Sequence, residues 1–250
     1  MSPTPRAIPP PHSAQRAPFE IAFLLCRSHY RNAQKERHLS LGYRRLPERA
    51  QSKSDTETIL MSFEFDPGVI RRILKSETFL IEEHLLRLDE DARRRRFNHD
   101  VSDDFIRQYV KGAADFGNLT FGYFVDGDVR AIAELRQSDP AQREMAEVAF
   151  SVERPFANRG IATALMGRII RAARNRGIRH LILVCLAENT KMQAIARHYD
   201  ADLRIGDGAI IADIIPKRPD YASIAGEMLD ERMAYVHAVF DLQTRLARVE

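Results

Sequence analysis

One segment constrains the fold more than any other: Arg154-Pro155-Phe156-Ala157-Asn158-Arg159-Gly160-Ile161-Ala162-Thr163-Ala164-Leu165. It follows an apolar run, Val148-Ala149-Phe150-Ser151-Val152, and opens an amphipathic pattern that ends at Arg174-Asn175-Arg176-Gly177. This order predicts a strand, a short turn and a helix entered through Arg-Gly-X-Ala. A helix start carries unpaired N–H groups and the positive end of the macrodipole. A glycine there lets an anion approach the backbone, so the expected cargo is a phosphate or pyrophosphate.

The helix over 159–175 places Ile161, Leu165, Ile169 and Ala173 on one face, with Arg168, Arg171, Arg174 and Asn175 elsewhere. Gly177 is its stop. The next run, His180 to Leu186, is apolar on both faces, as a central strand is. A crossover of this length favours parallel pairing with the strand ending at Val152.

What precedes is antiparallel. Residues 119–125 and 129–136 flank Asp126-Gly127-Asp128, a hairpin signal, and 145–152 supplies a third strand. Further upstream, 69–74 reads as a short strand or a turn of helix. Leu85, Leu86 and Leu88 fit a helix from Ile81 with Glu82, Glu83 and His84 outside, and Ser102 caps a helix carrying Phe105, Ile106, Tyr109 and Val110. Arg93 to Arg96 follow three acids; they read as a solvated helix face, or as the mouth of an anion site. After the parallel strand, Asn189 caps a short helix through Met192, Ile195 and Ala196. A hairpin over 201–215 closes the domain, ended by Pro216 and Pro219.

Two extensions flank this domain of 61–218. Residues 1–60 are proline-rich and basic at the start and read as a disordered or mis-started extension, with Met61 an alternative first residue. The apolar patch 19–26 also permits a signal h-region with Cys26 lipid-anchored, although Glu20 and its short length oppose that. Residues 219–250 form one helical pattern with Leu229, Met233, Val236 and Phe240 as a seam, which either covers the sheet or pairs with another copy in a homodimer. A formal charge of +3 gives no reason to expect nucleic acid, no apolar run has the length of a membrane span, and cysteine and histidine spacings suggest no metal. A cytoplasmic location is the expectation.

The succession of antiparallel meander, Arg-Gly-X-Ala turn, helix, parallel strand, Asn-headed helix and final hairpin resembles the GNAT superfamily of acetyl-CoA-dependent N-acyltransferases over roughly residues 76–215. The implied fold is α+β: a mixed, mostly antiparallel sheet with a central parallel β-α-β crossover, flanked by helices. The family's cofactor motif, Gln/Arg-X-X-Gly-X-Gly/Ala, reads here Ala157-Asn158-Arg159-Gly160-Ile161-Ala162, so the first position departs. The segment around 85–97 is similar, more weakly, to the corresponding part of bacterial protein-lysine acetyltransferases.

The resemblance implies an N-acetyltransferase that moves an acetyl group from acetyl-CoA to a primary amine on a protein lysine or a small molecule. The amides of Arg159 to Thr163 would hold the pyrophosphate, with Phe150 and Val152 beside the thioester and Asn189 as a cofactor contact, a helix cap, or both. The attack would use a glutamate or a water-relayed general base, and among glutamates Glu147 comes first. Alternation puts it on one face with Ala149 and Ser151 of a central strand, and the family places a general-base glutamate there. The competing reading is a solvated carboxylate or an ion pair with Arg136. Glu134 is the second candidate. The family's tyrosine acid falls at Ala196, so that role does not carry over; Tyr199, one turn on, is the remaining tyrosine. With Ala157 and Ala196 both departing, the alternative is a degenerate acyl-CoA-binding regulatory module.

Overall fold

The computed structural model describes residues 68–112, 118–137, 143–206 and 209–248. The expectations for residues 1–60 and for Cys26, and the tip of the last hairpin, lie outside these.

Seven strands form one sheet, in the order β1-β2-β3-β4-β5-β7-β6. They are β1 (Val69–Arg72), β2 (Leu119–Val125), β3 (Asp128–Arg136), β4 (Met145–Val152), β5 (His180–Leu186), β6 (Asp202–Gly206) and β7 (Ala209–Ile214). Every neighbouring pair is antiparallel except β4 and β5. The expected three-strand meander thus has a fourth member, since 69–72 is a strand paired with β2. Asp126 (φ 52°) and Gly127 (φ 80°) form the tight β2–β3 turn, a left-handed geometry that Asp-Gly tolerates.

Alternation along the strands divides the core in two. On one side Phe121, Ala133, Leu135, Val148 and Phe150 pack with Leu165, Met166 and Ile169 of α4 (Ile161–Asn175), and α5 (Thr190–His198) joins the same cluster through Ala196. On the other, Phe124, Val129 and Ile132 pack against α1 (Thr78–Arg87), α2 (Glu90–Phe97) and α3 (Asp103–Lys111). Asp89 accepts from Ala92 N at 2.8 Å to cap α2, and Ser102 from Phe105 N at 3.2 Å to cap α3.

The four arginines of α2 have four different fates. Arg93 donates to the carbonyls of Leu86 and Leu88 and to Asp103, tying down the end of α1. Arg95 pairs with Asp91 one turn back, and Arg94 lies 3.6 Å from Glu188 beyond β5. Arg96 is buried. A uniformly solvated face is therefore corrected at that one position. A second correction concerns His84, expected outside and in fact wholly enclosed between α1 and β4.

Helix α6 (Tyr221–Leu246) docks along β1 and α4, and its apolar seam does not cover the sheet. Leu229, Met233, Val236 and Phe240 are all exposed. The inward face is polar. Asp230 pairs with Arg168 and Arg171, Glu227 with Arg176 and Asn175, and Asp220 with Arg174. Glu231 meets Arg72, Asp241 meets Arg71, and Arg245 bridges Glu83 and Asp128. The reason lies in the surface that receives it: the outer flank of α4 and the edge strand β1 present arginines, which select the acidic stripe of the helix.

Candidate active site

The parallel pairing of β4 and β5 runs from Met145↔His180 to Val148↔Leu183 and stops there. Beyond it β4 continues to Val152 bonded to β3, and β5 to Leu186 bonded to β7. The two central strands therefore diverge over 149–152 and 184–186. Neither strand has the other as partner in that stretch, which leaves main-chain groups facing a gap in the middle of the sheet. Phe150 and Val152, expected beside a thioester, lie on the diverging part of β4.

The turn into α4 lies just past this gap. Asn158 (φ 65°) and Gly160 (φ 75°) are both left-handed, and Gly160 is the N-cap. No side chain caps α4, whereas Asp89, Ser102, Asn189 and Asp220 cap α2, α3, α5 and α6. The first backbone bond of the helix is Ala164 N to Gly160 O, 2.9 Å. The N–H groups of Ile161, Ala162 and Thr163 thus open the helix without a cap. A Cβ built on Gly160 would meet nothing within 4 Å, so the approach to these amides is open. Arg159 and Ala157 are on the rim, with the Arg159 guanidinium 5.4 Å from the centre of the Phe156 ring. Asn189 accepts from Met192 N at 3.2 Å and is the cap of α5. Tyr199 donates to Thr163 O at 2.8 Å, fastening α5 to the first turn of α4.

Glu147, Glu134 and Arg136 share the sheet face that α1–α3 cover, Arg136 standing opposite Glu147 in the register. Glu134 is the hub of a buried cluster. Arg136 donates to its Oε1 at 2.8 Å, Arg96 donates to its Oε2, and Tyr109 donates to Oε2 at 3.1 Å. Burial alone would raise the Glu134 pKa, but Arg136 and Arg96 outweigh it and hold the carboxyl at about 2. Burial raises the Tyr109 hydroxyl. Glu147 is half-buried and accepts no hydrogen bond from a described residue. Its pKa is raised, first by burial and then by the Glu134 charge, with Arg96 and Arg136 pulling the other way. Two carboxylates on adjacent strands are thereby driven apart, one held ionised and the other inclined to take a proton.

Sequence reasoning missed a third group. His84 Nε2 lies 2.9 Å from Ser151 Oγ, and Nδ1 lies 3.3 Å from Glu153 Oε1. Arg87 and Arg130 also donate to Glu153. No spacing joins His84 to residues 151 and 153, so only the fold brings them together. Burial lowers the His84 pKa against the opposing pull of Glu153. A histidine with a lowered folded pKa binds fewer protons than the unfolded chain below about 6.5, so its contribution is intact above that pH and is lost as pH falls. The melting temperature of His84→Gln is expected to depend less on pH between about 6.5 and 5 than that of the parent, and an equally steep dependence would refute the assignment. On the far strand, burial pushes the Cys185 thiol up to about 11, a protonated core residue.

The sheet thus has one parallel junction, a gap at that junction and an uncapped helix start beside it. Residues 81–199 match the acetyltransferase (GNAT) family, and the chain carries a GNAT acetyltransferase domain over that span. The structure is similar to the GNAT domain of S. lividans PAT, at 21% identity and a TM-score of 0.52, covering 58% of this chain and 89% of that one. It is also similar to the GNAT-family acetyltransferase from Streptococcus pneumoniae (14%, TM-score 0.48, 59% and 99% covered). A further similarity is to yncA from Salmonella typhimurium, solved with its cofactor acetyl-CoA (15%, TM-score 0.45, 62% and 98% covered). No curated protein matches the sequence. Among the described residues no helix is long and apolar enough to cross a membrane.

Proposed function

We propose that this chain transfers an acetyl group from acetyl-CoA to a primary amine, on a protein lysine or a small molecule, with Glu147 as the general base. The observation that carries the reading is the divergence of β4 and β5 after Val148 and Leu183, next to the uncapped start of α4. The amides of Ile161 to Thr163 suit a pyrophosphate, supported by Arg159. Main-chain groups of 149–152 suit an extended arm laid against a strand edge, and a backbone N–H there suits the carbonyl of a thioester.

A lysine-like amine has a pKa of about 10.4 and attacks only when neutral. Glu147 accepts the proton as the amine nitrogen bonds to the acyl carbon and the carbon–sulfur bond breaks. The thiolate then takes a proton from water, because Tyr199 donates to Thr163 O in this structure. Glu134 is assigned to structure: a carboxyl held at about 2 between two arginines is too weak a base for an amine near neutrality. The departures at Ala157 and Ala196 favour the second reading, a regulatory module that binds acyl-CoA without turnover.

The binding half is tested at Gly160. Any L side chain there is strained at a φ of 75° and places its Cβ in the open approach to the amides. Gly160→Val is expected to weaken acetyl-CoA binding at least about tenfold in titration calorimetry, with a stability loss of only about 1–2 kcal/mol. Undiminished affinity would remove the turn from the site.

A further inference from the structure

Helix α6 is amphipathic in the reverse of the usual sense. Its charged stripe faces the domain, and its outer face carries Ile224, Met228, Leu229, Met233, Val236 and Phe240 among eleven exposed large apolar side chains. We propose that this outer face is the contact surface between two copies of this chain, packed antiparallel about a two-fold axis.

Three observations commit the face to a second copy. The first is extent. The helix has 26 residues, so it is about 39 Å long at 1.5 Å per residue. Its eleven exposed large apolar residues are 42–95% accessible; three are aromatic, at about 150–250 Å² each when whole, and with the eight smaller aliphatic ones they amount to on the order of 1,000 Å² along the helix. The largest patch on a monomer is about 300–600 Å², whereas each partner of a standard interface contributes about 800 Å².

The second is self-complementarity. Leu229, Met233, Val236 and Phe240 are spaced four, three and four apart, a sequence that reads identically in both directions. Reversal about a point between Met233 and Val236 sets Leu229 against the partner's Phe240 and Met233 against the partner's Val236. That is the requirement of an isologous contact.

The third is charge. A helix that lies in a lipid surface needs lysines or arginines along its polar face. Here that face is acidic, and Asp220, Glu227, Asp230, Glu231 and Asp241 are engaged with the domain. Between residues 228 and 240 the charged or titratable side chains outside the Asp230–Glu231 pair are Arg232, Tyr235 and His237. Arg232 is the single lysine or arginine between 228 and 240, too little positive charge to hold the helix on an anionic bilayer or to repel an identical copy strongly.

Sedimentation velocity on the full chain tests the proposal. The expected mass is twice 28.6 kDa at micromolar concentration. Val236→Glu and Phe240→Glu, both at exposed positions, should sediment at the single-chain mass with an unchanged far-ultraviolet spectrum. The orientation is read from a charge exchange: Leu229→Lys combined with Phe240→Glu should dimerise at least tenfold more tightly than either single variant. A single-chain mass for the parent from 1 to 50 µM would overturn the proposal, as would dimers unaffected by Val236→Glu. Saturable binding of the monomer to vesicles of phosphatidylcholine and phosphatidylserine would also overturn it, by assigning the face to lipid. Failure of the charge exchange would overturn the antiparallel arrangement.

Discussion

Glu147→Gln is expected to lower kcat for acetyl transfer about 10²–10³-fold at neutral pH while the affinity for acetyl-CoA changes less than threefold. The substitution removes the proton acceptor and keeps the shape of the side chain, and Glu147 sits on the face opposite the turn that α4 opens. The pH profile is the sharper readout. In the parent, rate should rise as Glu147 deprotonates, and burial places that rise above the ordinary carboxylate range. In the variant this limb should vanish. The remaining rate should climb only as the amine itself loses its proton, toward about 10. An unchanged rate at every pH would remove Glu147 as the base and leave water as the acceptor.

The second large effect belongs to Glu134. Glu134→Gln is expected to cost about 3–5 kcal/mol, because Arg96 and Arg136 are then buried with a carboxamide between them. For a chain of this size that lowers the melting temperature by roughly 8–15 °C. Glu134 has a folded pKa depressed to about 2 from an ordinary 4.5. Its contribution is present above 4.5 and is lost as pH falls from there toward 2, and by the same shift amounts to about 3 kcal/mol. The parent should therefore destabilise through that window, and the variant should do so less. Replacing Arg96, Glu134 and Arg136 together with apolar residues of similar volume should recover much of the loss. A cost below about 1 kcal/mol for Glu134→Gln would show that the arginines find other partners. Loss of folding and loss of rate are separable here, because Glu147→Gln should leave the melting curve nearly unchanged.

The pattern of what could be read from residues alone follows interaction range. The Asp126-Gly127 turn and the caps at Ser102 and Asn189 are set by neighbours within a few positions, and alternation is enough to put Glu147 on the face it shares with Ser151. The cluster of Arg96, Tyr109, Glu134 and Arg136 spans 40 residues and three elements, so a run of four arginines did not disclose which one is buried. Polarity points His84 outward; its burial depends on Ser151 and Glu153, almost 70 residues away. For α6 the periodicity leaves two roles for the apolar seam, covering the sheet or meeting another copy, and the seam is exposed. Hydrophobic periodicity finds the stripes of a helix, but which stripe docks is decided by the receiving surface, and α4 offers arginines. No local signal in Ala149 to Val152 marks the end of a ladder, so the divergence of β4 from β5 is not legible in those residues.

Turnover is separated from binding alone by the release of free thiol from acetyl-CoA by the full chain, followed with a panel of amines that includes small molecules and lysine-bearing proteins, alongside calorimetric titration of acetyl-CoA. One-to-one binding is expected, with thiol release that depends on an amine and on Glu147. Binding without release across the panel would assign the chain to the regulatory reading, and no binding at all would contradict both.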